Sequence, residues 1–276
     1  MVITQRQVET WLAEDLGHHD VTNQVPGTTT GRLVATEAGV VSGLDAARAV
    51  FDYLDVAIEE TRADGERVAT DDVVLAVAGP ASDVLRGERV AVNLAGHAAG
   101  VATRTRRAVD AASEVSDSVR IAGTRKTTPG LRGVEKRAIA AGGGDTHRLD
   151  SSHMVMVKDN HVAEMGLRSA VAHLRKKASF ATKIEVEVED ADRGPDAVAA
   201  GADVVLLDNL DPEATARGVD LVREAASTVD RRVLVEASGG ITVETVPDYA
   251  TTGVDVISMG SLTHSAPSLD FSFRTG

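Results

Sequence analysis

The stretch "KIEVEVEDADRGPDAVAAGADVVLLD", residues 183–208, decides the architecture. Two short β-branched runs, "KIEVEV" and "DVVLLD", flank a helix-like segment, "DAVAA", that ends beside Gly201. That alternation is the signature of a βα unit feeding a parallel strand. Side chains alternate along the first run, so Glu185, Glu187 and Glu189 share one face while Ile184, Val186 and Val188 share the other. If the apolar face packs against helices, the acids point into a barrel interior, where each needs a lysine, an arginine or a metal. The other reading is an exposed sheet face with its acids in solvent, which a central parallel strand rarely has.

The same alternation extends in both directions. "VRIAG" at 119–123, "MVMVK" at 154–158, "VLVEAS" at 233–238 and "DVISMG" at 255–260 bring the strand-like runs to six. Between them lie helical patterns such as "LRGVEKRAIAA" and "TVETVPDYA". In "TTPGLR", Thr128 is placed to cap a helix with Pro129 at its first position and Leu131, Val134 and Ala138 as its buried stripe. Arg132, Lys136 and Arg137 then read as surface cations of that helix. The first hundred residues differ. Strand-like "GRLVATEAGVVSG", "VAIEETRADGERV" and "VVLAVAG" mix with helices near 4–16 and 44–54, an α+β pattern, and a long helix over 82–114 leads onward.

Composition excludes several classes. There is no cysteine, hence no disulfide framework or thiolate metal site. A net charge of -13 repels nucleic acid except at a focused basic patch. No apolar segment approaches the roughly 18 residues of a membrane helix, and the N-terminal segment lacks a signal peptide's pattern, so a cytoplasmic protein is expected. Acids spread over helix surfaces, with arginine far outnumbering lysine, suit a halophilic, salt-rich cytoplasm.

In parallel βα arrays ligands bind outside the carboxyl ends of the strands. There the chain places Thr124, Arg125 and Lys126 after the first run, Lys158, Asp159, Asn160 and His161 after the second, and Asp208 and Asn209 after the fourth. Ser238-Gly239-Gly240 and Gly260-Ser261 follow the fifth and sixth. Any one of these suits an ordinary cap or turn. Jointly, two lysines and an arginine facing a carboxylate and two glycine loops describe a pocket for a multiply anionic substrate, with loop amides on phosphate. His147, beside Arg148 after a glycine run, reads as substrate-facing, whereas His97 and His173 lie in helical patterns. No histidine pair has zinc spacing.

Several ordered blocks carry a resemblance. "TRKTTPGLRGVEKRAIAAGGGDTHR", "VMVKDNH", "KIEVEVE", "LLDN", "EASGGI" and "GVDVISMGSLTHSAPSLDFS", with a weaker "EDLGHHDVT" near the N-terminus, resemble the quinolinate phosphoribosyltransferases. The resemblance implies an α/β fold with an N-terminal α/β sandwich domain at 1–108, to which 266–276 returns, and a six-stranded α/β barrel catalytic domain of the type II phosphoribosyltransferases at 109–265. It implies transfer of phosphoribose from phosphoribosyl pyrophosphate to quinolinate with decarboxylation, in a magnesium-assisted homodimer or higher oligomer with shared active sites. Carried over by position, Arg89 comes from the partner subunit, and Arg125, His147 and Arg148 contact quinolinate, with Thr124 alongside. Lys126 and Lys158 meet the charged substrates, while Glu187 and Asp208 serve the ribose and magnesium; these four form the catalytic set. Ser238, Gly239, Gly240, Met259, Gly260 and Ser261 form phosphate loops near His264. Thr146, His153 and His18-His19 depart from the family pattern. A relative acting on another acceptor and a catalytically silent anion-binding homologue are the competing readings; Glu187 and Asp208 together argue against the second.

Overall fold

The computed structural model describes residues 2–276 and divides into two compact units. The first comprises the chain through Arg106, Thr127–Gly143 and Leu262–Gly276. Its four-stranded antiparallel sheet has the order β12-β1-β5-β3, where β1 is Thr28–Ala35, β3 Ala57–Thr61, β5 Val73–Pro80 and β12 Phe271–Thr275. The C-terminal segment therefore does return to this sheet, pairing Leu33 with Phe273 and Ala35 with Phe271. That pairing requires Gly31, because a Cβ there would lie 2.4 Å from the Phe273 ring. A small ladder joins β2, Gly39–Val40, to β4, Arg67–Val68.

The helices of this unit follow their local signals. α1, Gln5–Leu16, opens on a capping box in which the Thr4 and Gln7 side chains satisfy each other's backbone amides. α2, Leu44–Tyr53, buries Leu44, Val50 and Phe51. α3, Ala81–Ser113, spans about 50 Å at the usual helical rise. Its residues from Arg107 onward group with the second unit.

α4, Arg132–Ala141, corrects two expectations. Thr128 does not cap it. Gly130, at φ 82°, turns the chain out of helical conformation, so residues 128–131 form a turn and the helix begins after Leu131. Nor are its cations simply surface groups. Lys136 is 2% exposed, the Arg137 Nε lies 2.9 Å from Asp45 Oδ2, and Arg132 Nε donates to Thr127 Oγ1 at 3.0 Å. Residues 127–143 were expected inside the barrel domain, yet they group with the first unit. The physical reason is the apolar stripe of α4, since Val134, Ala138 and Ile139 share one core cluster with Leu12, Val90 and Leu94.

The second unit comprises Arg107–Lys126 and Gly144–Ser261. All six runs form strands: β6 Arg120–Ala122, β7 Val155–Val157, β8 Ile184–Val188, β9 Val204–Asp208, β10 Leu234–Ser238 and β11 Val256–Ser258. They pair in parallel in the order β6-β11-β10-β9-β8-β7. The intervening helices are α5 Asp159–Met165, α6 Leu167–Lys177, α7 Gly194–Ala200, α8 Pro212–Thr228 and α9 Val246–Ala250. Asp211 caps α8 by accepting from the Ala214 amide at 2.8 Å, with Pro212 at the first position. Val205, Leu207, Val235 and Ile257 are all fully buried, as strands covered by helices require. The short α10, Ser261–His264, follows β11. No described helix is long and apolar enough to cross a membrane.

Candidate active site

Register decides what faces inward at the carboxyl ends of the parallel strands. Asp208, Ser238 and Ser258 lie side by side on β9, β10 and β11, and one layer earlier Glu187, Leu206 and Glu236 do the same on β8, β9 and β10. With the loops after β6 and before β7, these residues line a cleft of about 620 Å³ within the second unit. Thr124, Arg125, Lys126, His147, Arg148 and Lys158, all expected at the site, line it as well.

The cations are held in distinct ways. Lys158 Nζ lies 2.5 Å from Glu187 Oε2. Exposed Arg125 donates from Nη1 to Ser151 Oγ at 3.2 Å, and the Lys126 amide donates to Thr124 Oγ1 at 3.0 Å, which shapes the turn after β6. Arg148 is half-buried, with Nη2 against Met156 Sδ at 2.9 Å and Nε buried without a partner. Burial lowers its pKa more than the nearby Glu185 restores, and it remains a cation at any ordinary pH.

The acids of β8 separate into three environments. Glu189 lies exposed beyond the strand, Glu187 meets Lys158, and Glu185 is fully buried. Neither Glu185 oxygen receives a hydrogen bond, and its pKa is raised by burial and by the charge of Glu236. His147 Nε2 lies 3.0 Å from Glu236 Oε2 and 3.7 Å from Glu185 Oε1. Burial works against charging this ring, but the attraction of the two acids, one of them hydrogen-bonded, outweighs that and lifts its pKa from 6.5 to about 10. Asp208 is also raised, by burial first and by Glu187 second, and its Oδ2 accepts from Asn209 Nδ2 at 2.7 Å.

The glycine loops are partly as expected. Gly239 has φ 97°, and a Cβ there would come within 2.2 Å of Asn209 Oδ1, so the turn after β10 admits no side chain. Ser238 faces the cleft and receives the Ser258 hydroxyl at 3.0 Å. Met259 serves the core instead, being 2% exposed with its amide donating to the Ala122 carbonyl at 2.9 Å. Any phosphate contact from this loop falls to the residues after it; there the Ser261 hydroxyl oxygen is buried without a partner. Arg89, exposed on α3, and His264, bonded to Ser265, belong to the first unit and do not line this cleft. His153 is exposed and accepts from the Leu149 amide at 3.3 Å.

Sequence reasoning missed Glu236 and Ser258. Glu236 precedes Ser238 by two residues, so the alternation applied to β8 would also have placed it inward on β10. Among the described residues, His147, Glu185 and Glu236 form a group whose donor atoms lie within 4.8 Å of one another, close enough to share a cation.

Comparison with known proteins agrees over the whole chain. The family model for the quinolinate phosphoribosyl transferase N-terminal domain matches residues 20–99, and that for the C-terminal domain matches 101–274. The chain is 41% identical to a protein of Methanothermobacter thermautotrophicus named probable nicotinate-nucleotide pyrophosphorylase (carboxylating), covering 94% of each. It is 40% identical to the human nicotinate-nucleotide pyrophosphorylase (carboxylating), over 97% of this chain and 90% of the human one. The solved structure of the nicotinate-nucleotide pyrophosphorylase from Francisella tularensis superposes with a TM-score of 0.89 at 31% identity, covering 98% of this chain and 95% of that one.

Proposed function

The chain belongs to the quinolinate phosphoribosyltransferase family, and from that premise we propose that its cleft carries out the family's reaction with the residues it brings together. The enzyme transfers the phosphoribosyl group of phosphoribosyl pyrophosphate to quinolinate with loss of carbon dioxide, yielding nicotinate mononucleotide and pyrophosphate for NAD biosynthesis. The observation that carries the residue assignment is the convergence of Arg125, Lys126, Arg148 and Lys158 with Glu187 and Asp208 in one cleft.

Quinolinate is a pyridine bearing two adjacent carboxylates. Arg125 and Arg148 offer planar forks to them, and the partnerless Nε of half-buried Arg148 suits a carboxylate that replaces water. The ring nitrogen attacks the anomeric carbon of the ribose as the bond to pyrophosphate breaks. The bond to the neighbouring carboxylate then breaks, carbon dioxide leaves, and the electron pair stays on the ring carbon beside the positive nitrogen until a proton from solvent completes the new C–H bond. The substrate's own positive nitrogen stabilises that pair, so the protein's work is to orient the reactants and balance charge in a water-poor site. Lys126 and Lys158 neutralise the departing pyrophosphate. Ser238 and the Gly239-Gly240 turn hold the 5′-phosphate side through hydroxyl and amide donors.

Glu187 and Asp208 are oxygen donors facing one cleft, and burial, with Glu187 close by, raises the pKa of Asp208. The pair fits magnesium, which takes one or two carboxylates and substrate oxygens. When bound there, the ion supplies charge stabilisation to the pyrophosphate.

The remaining assignments are a cytoplasmic, salt-adapted homodimer in which Arg89 completes the partner's cleft. Turnover is tested with quinolinate, phosphoribosyl pyrophosphate and magnesium across a salt series, following pyrophosphate and carbon dioxide together. Equimolar release is expected; pyrophosphate without carbon dioxide would indicate a different acceptor, and no turnover at any salt would leave a silent anion binder. Mixing Arg89→Ala with Lys126→Ala subunits should restore part of the activity each lacks, and failure to complement would place each site within one chain.

A further inference from the structure

Two buried carboxylates flank His147, which lines the cleft proposed to bind a dianionic substrate, an arrangement that calls for an explanation. Glu185 and Glu236 are 0% and 1% exposed, and three of their four oxygens receive no hydrogen bond. Acids this deeply buried must pair with a cation or hold a proton. The group in contact with both is His147, through Nε2, at 3.0 Å from Glu236 and 3.7 Å from Glu185. Its backbone is pinned as well. The His147 amide donates to Asp145 Oδ1 at 2.7 Å, and the residue sits at φ 53°, a left-handed conformation uncommon outside glycine.

From this geometry we infer that Glu236, backed by Glu185, is a positioning residue that holds His147 as a doubly protonated imidazolium, so that the ring meets a quinolinate carboxylate as a fixed cation and N–H donor. The inference rests on the contact between His147 and quinolinate that the family resemblance implies. With Nε2 committed to Glu236, the proton on Nδ1 is the one left to donate. A ring so held has no lone pair with which to accept a proton from substrate, so His147 acts by charge and orientation. The groups facing it are Glu185 from β8, Glu236 from β10 and Asp145 on its own loop, while Arg125, Lys126, Arg148 and Lys158 line the same cleft. The upward displacement of the His147 pKa by its two acid partners agrees with this arrangement. Glu236 also distinguishes substrates. A neutral imidazole accepts from a carboxamide or hydroxyl as readily as it donates, whereas the imidazolium favours the anion.

The test is a titration of the ring signals of isotopically labelled histidine in the wild-type protein, with His147 assigned by comparison with His147→Gln. His147 should show no inflection between pH 6 and 9, and in Glu236→Gln the inflection should move down into that window. Kinetics give the second readout. The KM for quinolinate should stay flat across the window in the wild type and rise in Glu236→Gln by up to about tenfold per pH unit above the new inflection, as loss of one proton dictates. The KM for phosphoribosyl pyrophosphate should not follow it. A wild-type inflection near the ordinary histidine value would overturn the inference even if the variant fails to fold. So would a folded Glu236→Gln in which neither inflection nor KM profile moves, or a His147 signal that shifts on adding magnesium alone, which would make the three residues a metal site. If His147→Gln leaves the quinolinate KM unchanged while the titration behaves as expected, the pairing stands and the placement of quinolinate fails.

Discussion

Each unit of the molecule buries a glutamate against a histidine, and the two pairs end in opposite electrostatic states. In the first unit Glu135, 0% exposed, accepts from His97 Nε2 at 2.9 Å and from the Thr128 amide at 3.2 and 3.1 Å. Burial raises its pKa, yet these bonds more than offset that, and the carboxyl ends below its ordinary value. In the second unit Glu185 is equally buried, but it lies near His147 without a bond to either oxygen, and its pKa ends raised. Both are shut off from solvent; the contrast lies in the hydrogen-bond donors and in the second acid, Glu236, beside Glu185. A carboxylate whose oxygens are both satisfied locks structure, here the turn that leads into α4. One left short of donors beside a cleft stores unfavourable energy that only a cationic partner relieves, which is the condition expected where charged substrates bind.

Four changes would break or sharpen that contrast. The largest effect should come from Lys158→Met, which leaves Glu187 without its cation: kcat/KM should fall by about 10²- to 10³-fold, as for loss of a charge-stabilising donor, with little change in melting temperature. A lower melting temperature with unaltered kinetics would move Lys158 to the structural side. Glu135→Ala leaves the Thr128 amide and His97 unpaired and should cost about 3 kcal/mol in denaturant unfolding. A cost below a few tenths would mean that the locked pair is decorative.

The third prediction concerns pH. The folded-state pKa of His147 is raised, so the stability it contributes is fully present below its unfolded value near 6.5 and is lost as pH rises toward about 10. Unfolding free energy should decline over that window by on the order of 2 kcal/mol more in the wild type than in His147→Gln. Parallel pH curves would show that the acids do not hold the ring charged. The smallest effect is expected from Glu185→Gln, which removes a buried charge lacking donors and should stabilise the fold by about 1 kcal/mol. Glu135→Gln should act in the opposite direction, and equal signs in a thermal melt would erase the distinction between the two sites.

Much of this molecule is legible in local pattern. All six β-branched runs between 119 and 260 became strands, the long pattern at 82–114 became α3, and the cations and acids at the strand ends converged on one cleft. A two-residue alternation assigns a side chain to a face, and an acid on the inward face of a covered strand needs a lysine, an arginine or a metal; for Glu187 the fold supplies Lys158. The fold alone decided which partner each group meets. Gly130 moved the start of α4 past Thr128, and the apolar stripe of that helix joined it to Leu12 and Leu94 in the first unit. Lys136 looked like a surface cation and is buried, while β12 found β1 across more than two hundred residues of chain. His147 reads in sequence as one more substrate-facing residue; only the packing of β8 beside β9 and β10 sets Glu185 and Glu236 against its ring. Periodicity is a property of neighbours along the chain, whereas the charge a side chain carries depends on neighbours in space, and those exist only once the sheet has formed.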